Sequence, residues 1–280
     1  MIRIGFADYY LGEWHADNYP GWMREICAEM GDEIELAYAW AEDDVSPRNG
    51  MTTDEWCEKN HFTRCATLEE LCEKSDAIVI LAPSDPDKHL PYASVALTYG
   101  KPTYIDKTFA PDLETAQKIF DIAAAHRTPM FSTSALRCSE ELGKHADGDA
   151  FILTGGGSNL GEYIIHLVEM TVVLLSDPVK RVKATAQGGE WFFAVESASG
   201  KKATLIYAPA IPYTVTSENA DGKSVYTAIK SPFFRHLMRD ILVFCKSGTL
   251  PFESAQTLEA MRMRDAILRS TETPGEWVEI

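Results

Sequence analysis

The feature that most restricts the fold is a continuous apolar run, Ala77-Ile78-Val79-Ile80-Leu81-Ala82, bounded by Asp76 and Pro83. A strand that is apolar at every position is typical of a parallel sheet covered on both faces, because a half-exposed strand alternates apolar and polar residues. Similar strand patterns alternate with helical ones along the first half: strands at 3–7, 35–40 and 103–105, and helices at 18–30, 67–74, 90–99 and 113–126. This alternation predicts an α/β domain with a doubly wound parallel sheet.

The pattern changes after Thr128-Pro129. A strand at 149–153 and a long apolar helix at 158–175, opened by a glycine triplet at 155–157, lead into segments of alternating polarity. These segments, at 179–186, 190–197, 203–208 and 213–217, are separated by turn signals at Ser199-Gly200 and Asp221-Gly222, and they predict an antiparallel meander. Two helices, at 234–246 and 254–271, and a tail complete the chain. We therefore expect an α/β domain at 1–127 and an α+β domain with an open, largely antiparallel sheet at 128–280, its C-terminal helices packing back towards the first domain.

The composition excludes several classes of protein. The chain of 280 residues has a net charge of −16, which disfavours binding to the phosphate backbone of a nucleic acid. The longest apolar run, around 170–175, is far shorter than the ~20 residues that span a bilayer. Six scattered cysteines form no CxxC pair, which favours reduced thiols and a cytoplasmic location over a disulfide framework or a zinc site.

Candidate chemistry lies where the predicted parallel strands end. One strand ends at Ala82-Pro83-Ser84-Asp85, and the next delivers Asp106-Lys107-Thr108 to the same edge of the sheet, where open α/β folds bind ligands. The ammonium group of Lys107 could stabilise negative charge on a substrate oxygen there. Judged alone, however, a lysine is more often a solvated surface residue.

A second set of polar residues lies on the long apolar helix. Glu162, His166 and Glu169 have the spacing i, i+4 and i+7 and so share one stripe. The stripe could be the solvent face of an amphipathic helix. Alternatively, His166 could accept a proton near neutral pH, with Glu162 one turn away to orient or polarise it.

Several of these segments resemble the Gfo/Idh/MocA oxidoreductases, which include glucose–fructose oxidoreductase and inositol dehydrogenase. Residues 76–110 resemble the third strand, helix and lysine motif of that family, with Asp106-Lys107-Thr108 in place of its Glu-Lys-Pro. The helix carrying Glu162 and His166 resembles the family's Asp-x-x-x-His helix. Because 237–246, Arg269-Ser270 and 275–280 are similar to its closing helices and tail, the resemblance covers nearly the whole chain.

The resemblance implies a Rossmann-type dinucleotide-binding domain, followed by a substrate and oligomerisation domain. It also implies hydride transfer between NAD or NADP and a hydroxyl or carbonyl carbon of a sugar, cyclitol or related polyol. In that reaction Lys107 would hold the reacting oxygen, His166 would take the proton, Glu162 would assist His166, and Arg137 would lie near the substrate. The resemblance assigns the cofactor-binding residues as Asp8, Gly12, Glu42, Pro83, Ser84, His89 and Asp106.

The first turn departs from the dinucleotide fingerprint. After the first strand, Gly-x-Gly-x-x-Gly is expected, but residues 8–15 read Asp-Tyr-Tyr-Leu-Gly-Glu-Trp-His and keep only Gly12. Asp8 and Glu13 stand where a diphosphate would lie and would repel it, and two tyrosines at 9 and 10 would hinder approach to the backbone. At the end of the second strand, Ala41 aligns with the acidic ribose ligand, and Glu42 or Asp43 could substitute after a shift of one residue.

Three functions therefore stay open. The chain could bind the dinucleotide through a remodelled turn and act as an oxidoreductase. It could instead perform cofactor-free acid–base chemistry, as a lyase or epimerase acting on a sugar acid, or act as a non-catalytic sensor or partner subunit. Alternating polarity in the second domain, together with the resemblance, predicts a homo-oligomer, a dimer or tetramer, formed through the sheet of that domain.

Overall fold

The computed structural model describes residues 1–31, 33–219 and 221–280, which form two compact units. The first unit comprises Met1–Thr133 and Arg235–Ser254, and the second comprises Ser134–Phe234 and Ala255–Ile280. This division differs from the expected boundary between residues 127 and 128 for two reasons. A short strand at Met130–Phe131 extends the sheet of the first unit, and most of one C-terminal helix also belongs to that unit.

The first unit alternates strands and helices. Its elements are β1 (Ile2–Asp8), α1 (Trp14–Met30), β2 (Ile34–Ala41), α2 (Thr53–Asn60), β3 (Thr63–Arg64), α3 (Leu68–Lys74), β4 (Ala77–Ile80), α4 (His89–Ala96), β5 (Thr103–Ile105), α5 (Leu113–His126) and β6 (Met130–Phe131). The strands form one parallel sheet in the order β3-β2-β1-β4-β5-β6. The predicted doubly wound fold is confirmed, with its topological switch between β1 and β4.

The centre of this sheet is buried on both faces, as the apolar run predicts. Phe6 on β1 and the β4 residues Ile78 and Ile80 have no exposed surface. Gly5 allows α3 to lie close to β1, because a Cβ at this position would come within 2.2 Å of the Ser75 hydroxyl. The sheet core thus fixes where β1, β4 and β5 end, and those ends carry the candidate site.

The second unit contains a mixed sheet covered by helices. Its elements are β7 (Gly148–Gly155), α6 (Leu160–Leu175), β8 (Val179–Gln187), β9 (Glu190–Ser197), β10 (Lys202–Tyr207), β11 (Thr214–Asn219), β12 (Ser224–Ala228), α8 (Ser254–Ser270) and β13 (Trp277–Glu279). Helix α7 (Phe233–Ser247) belongs to the first unit from Arg235 onwards. The strand order is β12-β11-β7-β10-β9-β8-β13.

The prediction of a largely antiparallel sheet is confirmed, but the sheet is not a simple meander. Strand β7 lies between β10 and β11, which follow each other in sequence, and its pairing with β10 is parallel. The glycine triplet at 155–157 is needed at the end of β7. An added Cβ would come within 2.2 Å of Tyr213, 2.1 Å of the Ala208 carbonyl oxygen and 2.2 Å of Tyr163 at the three successive positions.

The two faces of this sheet differ. Phe193 and Leu205, which are cross-strand partners, are fully buried in the core that also contains α6. Their neighbours Phe192 and Ile206 form the next cross-strand pair and are only half-buried, and Ile152 is 46% exposed. Within the second unit, the sheet therefore keeps one apolar face only partly covered.

Other sequence predictions concern thiols, membranes and metals. All six cysteines are free and five are buried, and burial raises the pKa of Cys57 and Cys65 to about 11 and that of Cys72 to about 12. Within residues 1–31, 33–219 and 221–280, no helix combines the length and apolarity needed to cross a bilayer. No group of three or more His, Cys, Asp or Glu side chains in the same ranges is arranged to hold a metal ion.

Candidate active site

Lys107 lies at the carboxyl edge of the parallel sheet, directly after Asp106 at the end of β5. Its side chain is almost completely covered, since the residue is only 9% exposed. The ammonium group donates a hydrogen bond of 2.9 Å to the carbonyl oxygen of Pro83, which follows β4. Lys107 is therefore not a solvated surface lysine but a positioned cation, as expected of a residue that binds a ligand oxygen.

Asp106 forms a buried ion pair with a residue of the first helix. Its carboxylate is inaccessible and contacts Nδ1 of His15 near the start of α1. The hydroxyl group of Tyr104 donates a further hydrogen bond of 2.8 Å, and the ring of Tyr19 stacks on His15. Burial alone would raise the pKa of Asp106, but attraction to His15 and these hydrogen bonds lower it to about 2. Asp106 is therefore charged and already has several partners within the chain.

Asp8, at the end of β1, is a buried acid whose second oxygen has no partner. Its Oδ1 accepts hydrogen bonds from the amides of Tyr9, at 2.7 Å, and Ala82, at 3.0 Å. Its Oδ2 is buried without a hydrogen-bond partner among the described residues. Burial, and then the nearby charges of Glu13 and Asp106, raise the pKa of Asp8 well above its usual value. The environment of Asp8 therefore disfavours its ionised form.

Glu13 closes the amino-terminal end of α1. It is the N-cap residue, only 4% exposed, and its carboxylate accepts hydrogen bonds from the amides of His15, at 2.8 Å, and Ala16. Burial raises the pKa of Glu13 despite the favourable interactions with His15 and Ala16. The helix consequently begins at Trp14 rather than at the predicted residue 18, and Pro20 lies inside it.

The first turn does not fit a diphosphate in the manner of the dinucleotide fingerprint. In that arrangement the amides at the helix N-terminus bind the phosphate oxygens, but here two of them bind the Glu13 carboxylate. Gly12 keeps the left-handed conformation of the turn, with φ 86°, and the side chain of Asn49 lies 3.3 Å from where a Cβ would be. At the carboxyl ends of β4 and β5, by contrast, the Lys107 ammonium group binds the Pro83 carbonyl oxygen, and Ser84 is exposed.

Two further residues predicted to bind the cofactor have partners within the first unit. Glu42, after β2, forms an ion pair of 2.6 Å with Lys88 and accepts a hydrogen bond from the hydroxyl group of Tyr92. His89 is completely buried, with Nε2 2.6 Å from the Leu81 carbonyl oxygen and Nδ1 3.1 Å from that of Phe109. Burial lowers its pKa. In this conformation His89 supports the segment after β4, whereas Ser84 in that segment is exposed.

The polar stripe of α6 packs against the 3-10 turn at Ala135–Cys138 and the residue before it. Nδ1 of His166 lies 2.6 Å from the Ser134 hydroxyl, and the rings of Tyr163 and Tyr213 are within 6 Å of the imidazole. This arrangement excludes the reading of the stripe as a plain solvent face. Ser134, which contacts the candidate base His166, was not among the residues predicted from the sequence, since a serine in a connecting segment carries no distinguishing pattern.

The remaining residues of the stripe have different environments. Glu169 is 3% exposed and accepts a hydrogen bond of 2.8 Å from the Arg137 guanidinium. Arg137 was predicted to bind substrate, and in the second unit it neutralises this buried carboxylate. Glu162 is half-buried in the first turn of α6, where its amide bonds to the Asn159 side chain.

Among known proteins, the chain is similar to solved structures only, and this similarity concerns the fold. No protein-family model matches the chain, and no curated protein matches its sequence. Solved structures match it over its whole length. Myo-inositol dehydrogenase from Corynebacterium glutamicum has a TM-score of 0.78 at 12% identity, with 100% of this chain and 99% of that chain covered. The chain therefore shares its fold with this protein.

Two other similar structures contain a nicotinamide cofactor. Scyllo-inositol dehydrogenase from Lactobacillus casei, solved with NAD(H) and scyllo-inositol, has a TM-score of 0.76 at 13% identity and coverage of 100% and 99%. GenD2 from gentamicin A biosynthesis, in complex with NAD, has a TM-score of 0.80 at 13% identity and coverage of 100% and 97%. The resemblance to Gfo/Idh/MocA oxidoreductases is thereby confirmed at the level of the fold.

Proposed function

We propose that the chain is an NAD(P)-dependent oxidoreductase that acts on a CH–OH group of a sugar, cyclitol or related polyol. The observation that carries this proposal is the position of Lys107, a nearly buried cation held by the Pro83 carbonyl at the carboxyl edge of the sheet. The fold is shared over the whole chain with dehydrogenases solved with NAD(H), which supports a nicotinamide cofactor.

The side chains suit the proton and charge changes of such a reaction. A bound nicotinamide supplies the hydride acceptor or donor. Lys107 would donate a hydrogen bond to the reacting oxygen and stabilise negative charge on it. His166, with Nδ1 at the Ser134 hydroxyl, would take up the hydroxyl proton at Nε2, and Glu162 would favour the protonated ring. Arg137 is assigned to the substrate as well as to Glu169.

The residues assigned to the cofactor fall into two groups along the carboxyl edge of the parallel sheet. Pro83, Ser84 and Lys107 are suited to the nicotinamide end of the ligand. Around the first turn, by contrast, Asp8, Glu13 and Asp106 are carboxyl groups with partners inside the chain, and Glu42 is paired with Lys88. A dinucleotide would therefore be held with a different phosphate contact from that of the glycine-rich turn.

The Glu13 cap favours one alternative, cofactor-free acid–base chemistry on a sugar acid. Titration of the purified protein with NADH and NADPH, followed by energy transfer from its six tryptophans, separates the two functions. Saturable transfer supports the oxidoreductase. Absence of energy transfer at millimolar concentration, together with thermal stabilisation by a sugar acid, supports the lyase or epimerase. If neither energy transfer nor stabilisation occurs and another protein copurifies, the result supports the sensor or partner subunit.

Turnover provides the second part of the test. Reduction of NAD or NADP is followed by absorbance with a panel of inositols and sugars. Lys107→Ala should abolish reduction with any substrate found, whereas Lys118→Ala, which removes an exposed lysine paired with Glu114, should leave it unchanged. Equal rates in the Lys107→Ala protein and the wild type would remove Lys107 from the reaction.

We also propose that the protein is a cytoplasmic homo-oligomer. The half-buried pair Phe192 and Ile206 and the exposed Ile152 lie on the less covered face of the second sheet, which supports association through that face. Six free cysteines support a reducing compartment. Sedimentation as a 31.1 kDa species at micromolar concentration would contradict the oligomer.

A further inference from the structure

We propose that Glu13 is a built-in replacement for a ligand diphosphate: its carboxylate occupies the anion-binding N-terminus of α1 and competes with nucleotides for it. This inference deepens the proposed function, on which it rests, because it concerns how the same sheet edge holds a dinucleotide. It predicts that the wild-type affinity for a diphosphate is limited by one side chain of the chain itself.

The hydrogen bonds of Glu13 support this replacement directly. The first amides of a helix have no partner within the helix and, together with the helix dipole, attract an anion. In α1 the two carboxylate oxygens of Glu13 bind separate amides, Oε2 that of His15 and Oε1 that of Ala16. A phosphate group with two acceptor oxygens would need these same donors.

Burial of the carboxylate distinguishes Glu13 from an ordinary helix cap. Asp112, the N-cap residue of α5, also binds an amide through its carboxylate, that of Thr115 at 2.7 Å, but it is exposed. Glu13 is 4% exposed, so its carboxylate fills space inside the turn instead of projecting from it. A ligand phosphate could reach the amides only after this side chain had moved out.

Asp8 provides a second, independent observation at the same turn. Its Oδ2 is buried without a partner, although a carboxyl group normally has both oxygens bonded when buried. Burial, and then the neighbouring charges of Glu13 and Asp106, raise the pKa of Asp8. The turn thus already places several carboxyl groups close together, and a diphosphate would add further negative charge to it.

The increase in binding affinity on removing the Glu13 carboxylate should therefore occur only for ligands that carry phosphate groups. Glu13→Ala removes both the charge and the obstruction, and Glu13→Gln removes the charge while keeping the size. Asp112→Ala is the matched control, because it removes a carboxylate cap from another helix of the same unit. Isothermal titration calorimetry with ADP-ribose, which has the diphosphate but no nicotinamide, and with adenosine, which has no phosphate, gives the affinities.

The expected result is an increase of at least about tenfold in ADP-ribose affinity for Glu13→Ala and a smaller increase for Glu13→Gln. Adenosine affinity should not change, and Asp112→Ala should bind both probes as the wild type does. Circular dichroism and thermal melting show whether each variant is folded, and Glu13→Gln keeps the test valid if Glu13→Ala does not fold.

Unchanged affinity for ADP-ribose in folded Glu13→Gln and Glu13→Ala, whether all proteins bind it or none does, would overturn the inference. An equal gain for adenosine would overturn it too, because the effect would then not concern the diphosphate. Failure of the proposed function has a different signature. In that case the Glu13 variants bind ADP-ribose more tightly, but no protein, wild type or variant, reduces NAD or NADP with any polyol.

Discussion

The first turn of the first unit and the α6 stripe of the second unit both bury carboxylates, but they neutralise them differently. On α6, the buried Glu169 carboxylate forms an ion pair with the Arg137 guanidinium. Around the first turn, the carboxyl groups of Asp8, Glu13 and Asp106 lie near one another, and the basic groups that act on Asp106 are His15 and Lys107. A matched pair is what a stable fold requires, whereas an excess of buried acid costs stability and is characteristic of a functional site.

Breaking the matched pair should have the largest effect on stability. Arg137→Ala removes the guanidinium from the buried Glu169 carboxylate, and we expect a loss of about 3–5 kcal/mol in the free energy of unfolding. Urea denaturation measures it. The double variant Arg137→Met/Glu169→Leu is the control, since two apolar residues should restore most of the loss. A single variant as stable as the wild type would show that the pair is not buried in solution.

Removing one of the buried acids at the first turn should increase the free energy of unfolding instead of decreasing it. Asp8→Asn keeps an acceptor oxygen for the amides of Tyr9 and Ala82 and replaces a group that can ionise with one that cannot. We expect the free energy of unfolding to increase at neutral pH, because a raised pKa means that the ionised form of Asp8 is disfavoured in the folded state.

The pH dependence of Asp8→Asn sharpens this prediction. Because the folded-state pKa of Asp8 is raised, wild-type stability is largest below the unfolded pKa and falls as the pH rises through the folded pKa. The advantage of Asp8→Asn should consequently grow from about pH 4 upwards. An advantage that stays constant with pH would contradict a raised pKa.

Glu141, in the second unit, offers a contrast at acid pH. Although burial opposes its charge, hydrogen bonds from the Ser231 hydroxyl and the amides of Lys230 and Ser231 lower the pKa of Glu141 to about 2. Its contribution to stability is present above its unfolded pKa and is lost as the pH falls towards 2. Glu141→Gln should cost about 1–2 kcal/mol at neutral pH and nothing near pH 2, as acid titration of the urea midpoint would show. A cost that is the same at both pH values would contradict the lowered pKa.

The sequence predicted the regular parts of this fold well. The buried strand β4 was predicted from six consecutive apolar residues. Thr67 caps the start of α3 with its side chain, and Gly100 ends the helical segment after α4 in the left-handed conformation that glycine adopts easily. The short strands β3 and β6 were not predicted, because two residues give no periodicity. Helix α2 was also missed, although Thr52 and Glu55 form a capping box at its start. Strand β7 was predicted, but its place between β10 and β11 depends on contacts distant in sequence.

The candidate site was predictable only in part. The strand ends located Lys107, but its bond to the Pro83 carbonyl depends on two loops that no local pattern connects. Glu13 was predicted to repel a diphosphate, yet its role as a cap was not, since glutamate is not a preferred N-cap residue. That Lys107 and His166 serve one substrate stays a prediction.

The smallest expected effect is the difference in stability between variants that lack one of the two carboxylate N-caps, Asp112 and Glu13. Asp112→Ala at α5 should cost about 1 kcal/mol, the usual value for an exposed N-cap. Glu13→Ala loses two hydrogen bonds instead of one, but it also removes a buried charge that raises the pKa of Asp8. These effects have opposite signs, so we expect Glu13→Ala to cost no more than Asp112→Ala and to cost less as the pH rises. Thermal melts of both variants between pH 5 and 8 measure the difference. If Glu13→Ala were several kcal/mol less stable than Asp112→Ala throughout this range, Glu13 would be a structural cap like Asp112, and the unmatched acids would not strain the turn.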